Sequence, residues 1–478
     1  MPNTHLSQLY RGPFGLLTDL YQLTMAYGYW RSGLYNRQAN FHLFYRKPPF
    51  QNGFAISAGL ELAIDFLSQF RFSAADIQYL GGLKGSTGAP LFNEAFLNYL
   101  QRMQLELTVH AMPEGTAAFP NQPILRVEGP LLQCQLVETG LLTLVNFSTL
   151  LATKAARIVD AAEGDSVLEF GMRRSQGLDG AMTAARATYI GGVHATSNVM
   201  AGRLYGIPVR GTHAHSWVMA YEDELLAFQN YAEALPGNCI FLVDTYDTEA
   251  GVKHAVSVGK WLREQGYDMN GIRLDSGDLT VLSKTARQIL DAAGFTQTAI
   301  VASNDLDEYR IAQLKKEGAK ITVWGVGTRL ATGHGDPALG GVYKLSAIQN
   351  EHGEWEDRIK RSEEAVKASN PGLLQVWRSE AKQEHPGDAL YDIRYGMEGA
   401  QIWDESSGSW GQVATEKGHN LLVPVLDRGQ LVYDFPKLSE VRSYAMAQWQ
   451  QFVAQPSYPY GLSPALHEVK STMMATHS

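Results

Sequence analysis

Residues 240–302 read IFLVDTYDTEAGVKHAVSVGKWLREQGYDMNGIRLDSGDLTVLSKTARQILDAAGFTQTAIVA, and their pattern decides the fold. Three short apolar runs, Ile240–Val243, Ile272–Leu274 and Ile300–Ala302, are separated by longer segments with apolar residues at helical spacing. The first two runs end in turns rich in Asp, Ser and Thr, whose side-chain oxygens accept the free backbone N–H groups of a helix start. Strand, polar turn, capped helix, strand is the pattern of parallel βα units. The spacing predicts helices over Asp247–Gln265 and Asp278–Ala293.

The same rhythm extends outward to the runs Val167–Phe170, Ile207–Val209 and Ile321–Trp324, with a helix expected over Asp305–Glu317 and a long helical pattern through Leu136–Ala162. Such a series suits a barrel or a doubly wound sheet. No G-x-G-x-x-G fingerprint follows the first strand, so an irregular TIM-like βα barrel is favoured. The flanks differ. Thr18–Tyr29 reads as a helix opened by Asp19, with Gln22 three residues on in a capping-box arrangement. Asn40–Arg46 alternates as a half-buried strand does, Leu60–Phe70 reads as a helix, and Val109–Val127 holds two short strands. Beyond Leu345, Glu351–Glu384 reads as charged loop, Ala389–Val425 as short strands with Gly turns, and Ser439–Phe452 as a closing helix. The expected organisation is α/β: an α+β part over 1–135, the barrel over 136–345, and a segment over 346–478 packing beside the first part.

Composition narrows the function. Among 478 residues, Lys+Arg 40 against Asp+Glu 49 gives 40 − 49 = −9, which argues against a nucleic-acid binder. It leaves room for small phosphates, which a few arginines and backbone amides can hold. Leu131–Val159, the most apolar region, is broken by Gln133, Glu138, Asn146 and Lys154, so no membrane span is expected. Met1–Leu20 carries Arg11 and Asp19 and no export signature, and Cys134 and Cys239 cannot make a disulfide framework. A cytoplasmic location with reduced cysteines is the expectation.

In βα barrels the functional groups gather where strands end and loops begin. Here those places carry Gly171-Met172-Arg173-Arg174, Arg210-Gly211-Thr212-His213-Ala214-His215-Ser216, Asp244-Thr245-Tyr246-Asp247, Asp275-Ser276-Gly277-Asp278, Ser303-Asn304-Asp305 and Gly325-Val326-Gly327-Thr328-Arg329. Capping alone accounts for Asp247, Asp275 or Asp305 as well as function does. It does not account for arginines, two histidines and a Gly-x-Gly-Thr loop on the same rim. That loop reads as a phosphate seat or as a plain glycine turn. Asp275 and Asp278, three apart, suit ribose hydroxyls or the water shell of Mg²⁺. Arg273 shares a strand face with Asp275; it offers a fork for a carboxylate or a structural ion pair. His213 and His215 alternate as a metal pair would, but no third ligand stands nearby, and zinc is disfavoured. A rim histidine suits a nucleophile or acid/base, while His213 also reads as a core residue. Tyr21 and Phe170 read equally as core aromatics.

The chain resembles the nicotinate phosphoribosyltransferase family over nearly all of its length. The matching segments are Thr18–Trp30 (TDLYQLTMAYGYW), Glu169–Ala181 (EFGMRRSQGLDGA), Gly211–Trp217 (GTHAHSW), Ile272–Leu279 (IRLDSGDL), Val301–Asp305 (VASND), Trp324–Thr328 (WGVGT) and Gly340–Leu345 (GGVYKL). The resemblance implies condensation of nicotinate with phosphoribosyl pyrophosphate (PRPP) to nicotinate mononucleotide and pyrophosphate, in NAD salvage. It implies ATP as co-substrate, a transiently phosphorylated histidine at His215 with Ser216 beside it, and Mg²⁺. Arg273 would grip the nicotinate carboxylate, with Thr212 near the ring and Arg173 close to base and phosphates. Phe170 and Tyr21 would sandwich the pyridine, Tyr21 coming from the second subunit of a homodimer. Asp275, Asp278, Ser303, Asn304, Gly325, Gly327 and Thr328 would hold PRPP. Related nicotinamide enzymes use an aspartate near the place of Ser197, where this chain has no acid, so nicotinate is the favoured base over nicotinamide or quinolinate. A non-catalytic phosphosugar-binding regulator is the reading from another class.

Overall fold

The computed structural model describes residues 12–360, 368–380, 385–397 and 399–475. Parts of the expected loop Glu351–Glu384, namely 361–367 and 381–384, and the first eleven residues of the expected leaderless terminus lie outside them. Contacts divide the chain into two compact units, one from Met1–Leu150 with Ala338–Ser478 and one from Leu151–Pro337.

The first unit interleaves the two flanks of the chain. Its seven-stranded sheet runs in the order Trp355–Asp357, Gly341–Gln349, Gln38–Tyr45, Leu125–Pro130, Thr108–Ala111, Val423–Asp427 and Gln430–Leu431, so early and late strands are neighbours. The strand Gln38–Tyr45 is not half-buried as its alternation predicts; every residue from Ala39 to Tyr45 is buried. Its polar residues are satisfied inside: Asn40 Nδ2 donates to Ser346 Oγ at 2.6 Å, and His42 Nε2 accepts the Leu374 N–H at 3.2 Å. Alternation marks two different faces, and here both are covered. A second sheet of six strands lies wholly in the late part, and the chain continues past the helix Leu438–Val453 to a further helix, Pro464–Ala475. The helix Leu20–Ser32 corrects the expected capping box: Asp19 makes no cap bond and instead accepts from Thr139 Oγ1, while Gln22 is buried and donates to Glu138 at 3.0 Å.

The second unit carries the βα rhythm. Its strands lie in the order Ala195–Thr196, Ser166–Glu169, Val323–Val326, Ala299–Ser303, Gly271–Leu274 and Ile240–Leu242, and every neighbouring pair is parallel. The last strand of the series lies beside the first, as in a barrel, yet among the described residues the sheet does not close. The expected strand Ile207–Val209 is reduced to one bridge, Thr196 with Val209. At the seam beyond it, the Leu242 N–H donates to the His213 ring Nε2 at 3.3 Å, so a side chain stands where a strand partner would. The strands expected to form a barrel make a parallel sheet, and no closed barrel is found among the described residues. The three expected helix starts follow the capping logic with one exception. Asp247 and Asp278 cap Thr248–Glu264 and Leu279–Ala292, but the third cap is Asp307, not Asp305. Asn304 and Asp305 instead adopt left-handed backbone, φ 86° and 46°, and delay the helix to Glu308–Lys316.

Candidate active site

Carboxyl-terminal strand ends in the second unit bring one tight cluster together. Alternation along Gly271–Leu274 puts Arg273 and Asp275 on one face, and their side chains meet at 3.0 Å. Arg273 Nε donates to Ser303 Oγ at 2.9 Å, and Ser303 Oγ donates to Asp275 Oδ1, closing a triangle over two adjacent strands. The Nη1 end of Arg273 makes no hydrogen bond among the described residues, leaving donors for a ligand. His215 Nε2 lies 3.8 Å from Asp275 Oδ2, and its Nδ1 pairs with Thr245 Oγ1 at 3.1 Å. Burial pushes the Asp275 carboxyl up, but hydrogen bonds from Ser303 and Arg273 and the nearby charges of Arg273 and His215 outweigh it and hold it below the usual carboxylate range.

Phe170 joins this cluster through a glycine. A Cβ on Gly325 would stand 2.7 Å from the Phe170 ring, so a side chain there would displace the aromatic. Gly325 pairs in register with Ser303, so the ring lies one strand from the residue that holds Arg273. Gly327 packs against the Phe170 carbonyl, and Thr328 is exposed at the following turn. Arg173 is exposed after Phe170, and Thr212 is half-buried, its Oγ1 donating to the His213 carbonyl at 3.2 Å. Asp278 is engaged as a helix cap, its Oδ1 accepting from Thr280 and Val281 N–H groups, and does not join Asp275. Asn304, with Asp275 and Arg329, lines a cavity of about 470 Å³ beside the cluster. Tyr21 belongs to the first unit, on the first turn of its helix and 49% exposed.

The alternating histidines part company. His213 is buried among Tyr231, Phe228 and Phe241, with ring centroids at 4.9, 5.9 and 6.4 Å. Burial pushes its pKa down from 6.5 to about 4, helped by the Arg273 and His215 charges against a bond to the Ala214 carbonyl. Its core reading holds, and it does not pair with His215. Because the folded pKa is depressed, protonation favours the unfolded chain. The stability that neutral His213 contributes is present above pH 6.5 and drains away as pH falls towards 4. Thermal melts should therefore show a fall in melting temperature over that window that is shallower in His213→Phe; identical slopes would contradict it.

Sequence reasoning quoted Asp244 and Thr245 on the rim but gave them no role. Asp244 Oδ2 accepts the Asp275 N–H at 2.7 Å and Ser276 Oγ at 2.8 Å, while its Oδ1 is buried without a hydrogen-bond partner. A buried carboxylate oxygen left unsatisfied is chemically suited to a hard cation. The signal was there: both residues directly follow an apolar strand run.

Comparison with known proteins follows from this geometry. The nicotinate phosphoribosyltransferase (NAPRTase) N-terminal domain family matches residues 16–146, and the nicotinate phosphoribosyltransferase (NAPRTase) family matches 166–365. A nicotinate phosphoribosyltransferase of Bacillus subtilis is 44% identical over 95% of this chain and 96% of its own length. The human protein of that name is 36% identical over 95% and 94%. The crystal structure of human nicotinic acid phosphoribosyltransferase superposes with a TM-score of 0.83 at 33% identity, covering 95% of this chain and 99% of that one. Among described residues, no helix is long and apolar enough to cross a membrane.

Proposed function

The chain belongs to the nicotinate phosphoribosyltransferase family, and from that premise we propose that it joins nicotinate to PRPP, giving nicotinate mononucleotide and pyrophosphate, in a reaction coupled to ATP. The observation that carries this reading is the Arg273–Ser303–Asp275–His215 cluster with a free arginine end and an aromatic ring one strand away. The pyridine nitrogen forms a bond to the anomeric carbon as the bond to the pyrophosphate oxygen breaks, and the leaving oxygen takes the electron pair. Almost no proton moves, so rate enhancement rests on holding the two reactants in line and on meeting charge as it develops. Arg273 Nη1 grips the carboxylate, Phe170 covers one ring face and Asp275 accepts from ribose hydroxyls. Gly327, Thr328 and Arg173 meet phosphate. Asp244 and Asp275 suit Mg²⁺, whose chemistry when bound is to offset pyrophosphate charge. Ser197 in place of an acid leaves nicotinate unrepelled.

In the ATP-coupled half, His215 attacks the terminal phosphorus and ADP leaves with the broken P–O bond's electrons. In the tautomer with its proton on Nδ1, the pairing with Thr245 Oγ1 holds that N–H and the Nε2 lone pair is free for the attack. A phosphate on His215 brings about two negative charges beside Asp275; its hydrolysis then drives product release. The deciding assay supplies PRPP and Mg²⁺ with nicotinate, nicotinamide or quinolinate, each with and without ATP. Mononucleotide from nicotinate, increased by ATP, is expected. Equal rates with nicotinamide overturn the base assignment, and no product from any base overturns the function.

A further inference from the structure

Glu169 ends the strand Ser166–Glu169 and is 1% exposed, and no step of the proposed reaction uses it. Its two carboxylate oxygens are divided between two loops. Oε1 accepts the backbone N–H of Gly171, and Oε2 accepts the Thr196 hydroxyl at 2.6 Å. Thr196 Oγ1 in turn accepts the Asn198 N–H at 3.0 Å, and the Ser197 N–H goes to the Glu169 carbonyl at 2.9 Å. One residue thus holds both the turn that carries Phe170 and Arg173 and the turn that carries Ser197. The first turn has no freedom to relax on its other side. A Cβ at Gly171 would overlap that of Ala331 and stand 2.9 Å from both Glu169 Oε1 and the Gly327 carbonyl.

A buried carboxylate is a costly filler, since its desolvation is recovered only through hydrogen bonds. A leucine fills similar space without that penalty. What the carboxylate adds is a pair of acceptors at a fixed separation. We propose that Glu169 is the positioning residue of the base pocket: it holds the Phe170–Arg173 and Thr196–Asn198 turns at one spacing and so sets the slot that admits the pyridine ring. The inference rests on the reading that Phe170 faces the base. It assigns Glu169 no contact with substrate; it acts through Phe170.

The test is steady-state kinetics on Glu169→Leu, Glu169→Gln and Thr196→Val, with KM measured separately for nicotinate and PRPP beside melting temperatures. Misplacing a binding group costs about 10- to 100-fold, so Glu169→Leu should raise the nicotinate KM by about that factor and leave the PRPP KM within about threefold. Glu169→Gln keeps an acceptor for Gly171 and can donate to Thr196 Oγ1, so it should recover most of the affinity. Thr196→Val should fall between. A nicotinate KM unmoved in the folded variants overturns the inference, as do both KM values rising together in step with lost melting temperature. Should Glu169→Leu not fold, Thr196→Val decides alone by the same criterion. Wild-type protein that makes no product from nicotinate fails the functional reading instead, which keeps the two failures apart.

Discussion

Arg273→Ala is expected to raise the nicotinate KM by about 30-fold to several thousand-fold while barely changing the response to nicotinamide. Truncating one partner of a largely buried, hydrogen-bonded charge pair costs about 2–5 kcal/mol, and each 1.4 kcal/mol is about tenfold. Arg273 side-chain exposure is 15%, and Ser303 and Asp275 fix two of its three nitrogens, so the third enters the pocket with little rotamer freedom left to lose. The amide lacks the charge and the second acceptor, so it loses less. Arg273→Lys should not rescue fully, because an ammonium keeps the charge but not the planar fork. The same change strips Asp275 of a partner that holds its pKa low, so the pH profile on the acid side should move upward as well. A nicotinate KM within threefold of wild type would refute the assignment.

His215→Ala should abolish ATP turnover, measured as ADP release or as label retained from ATP labelled at its terminal phosphate. At most a weak, ATP-independent synthesis should remain, because positioning of the two reactants by Arg273, Phe170 and Asp275 does not pass through the imidazole. Thr245→Val is the finer probe: losing the acceptor for Nδ1–H lets the ring adopt either tautomer, so labelling should slow without being abolished. Full coupling of ATP to synthesis in His215→Ala would sink the phosphohistidine.

The sequence made the parallel strands legible because each is a short apolar run followed by a polar turn, and that same rule located Arg273, Asp275, Ser303 and His215. Other features escaped for physical reasons. The strand Ala195–Thr196 is two residues long, too short for any periodicity, while Ile207–Val209 has the composition of a strand and makes a single bridge. Barrel closure could not be read, since the seam is spanned by an imidazole and not by backbone. Asp305 and Asp307 look alike as caps; left-handed backbone at Asn304 and Asp305 decided between them. The Phe170 ring that needs the space at Gly325 could not be read either, because it is more than a hundred residues away in sequence. Glu169 was hidden for a simpler reason: a carboxylate at a strand end gives no sign of which backbone amide it will accept from.

The interleaved seven-stranded sheet has a consequence for synthesis on the ribosome. The strand Gln38–Tyr45 pairs with Gly341–Gln349 on one edge, and Thr108–Ala111 pairs with Val423–Asp427. The amino-terminal strands are therefore made first but must wait, with unpaired edges, until the last third of the chain emerges. The inner unit is continuous and meets no such delay. Non-local pairing of this kind slows folding and exposes sticky edges meanwhile. A nascent chain whose first 337 residues have just emerged should thus hold a protected inner unit behind an unprotected leading segment, and chaperone demand should fall chiefly on that segment.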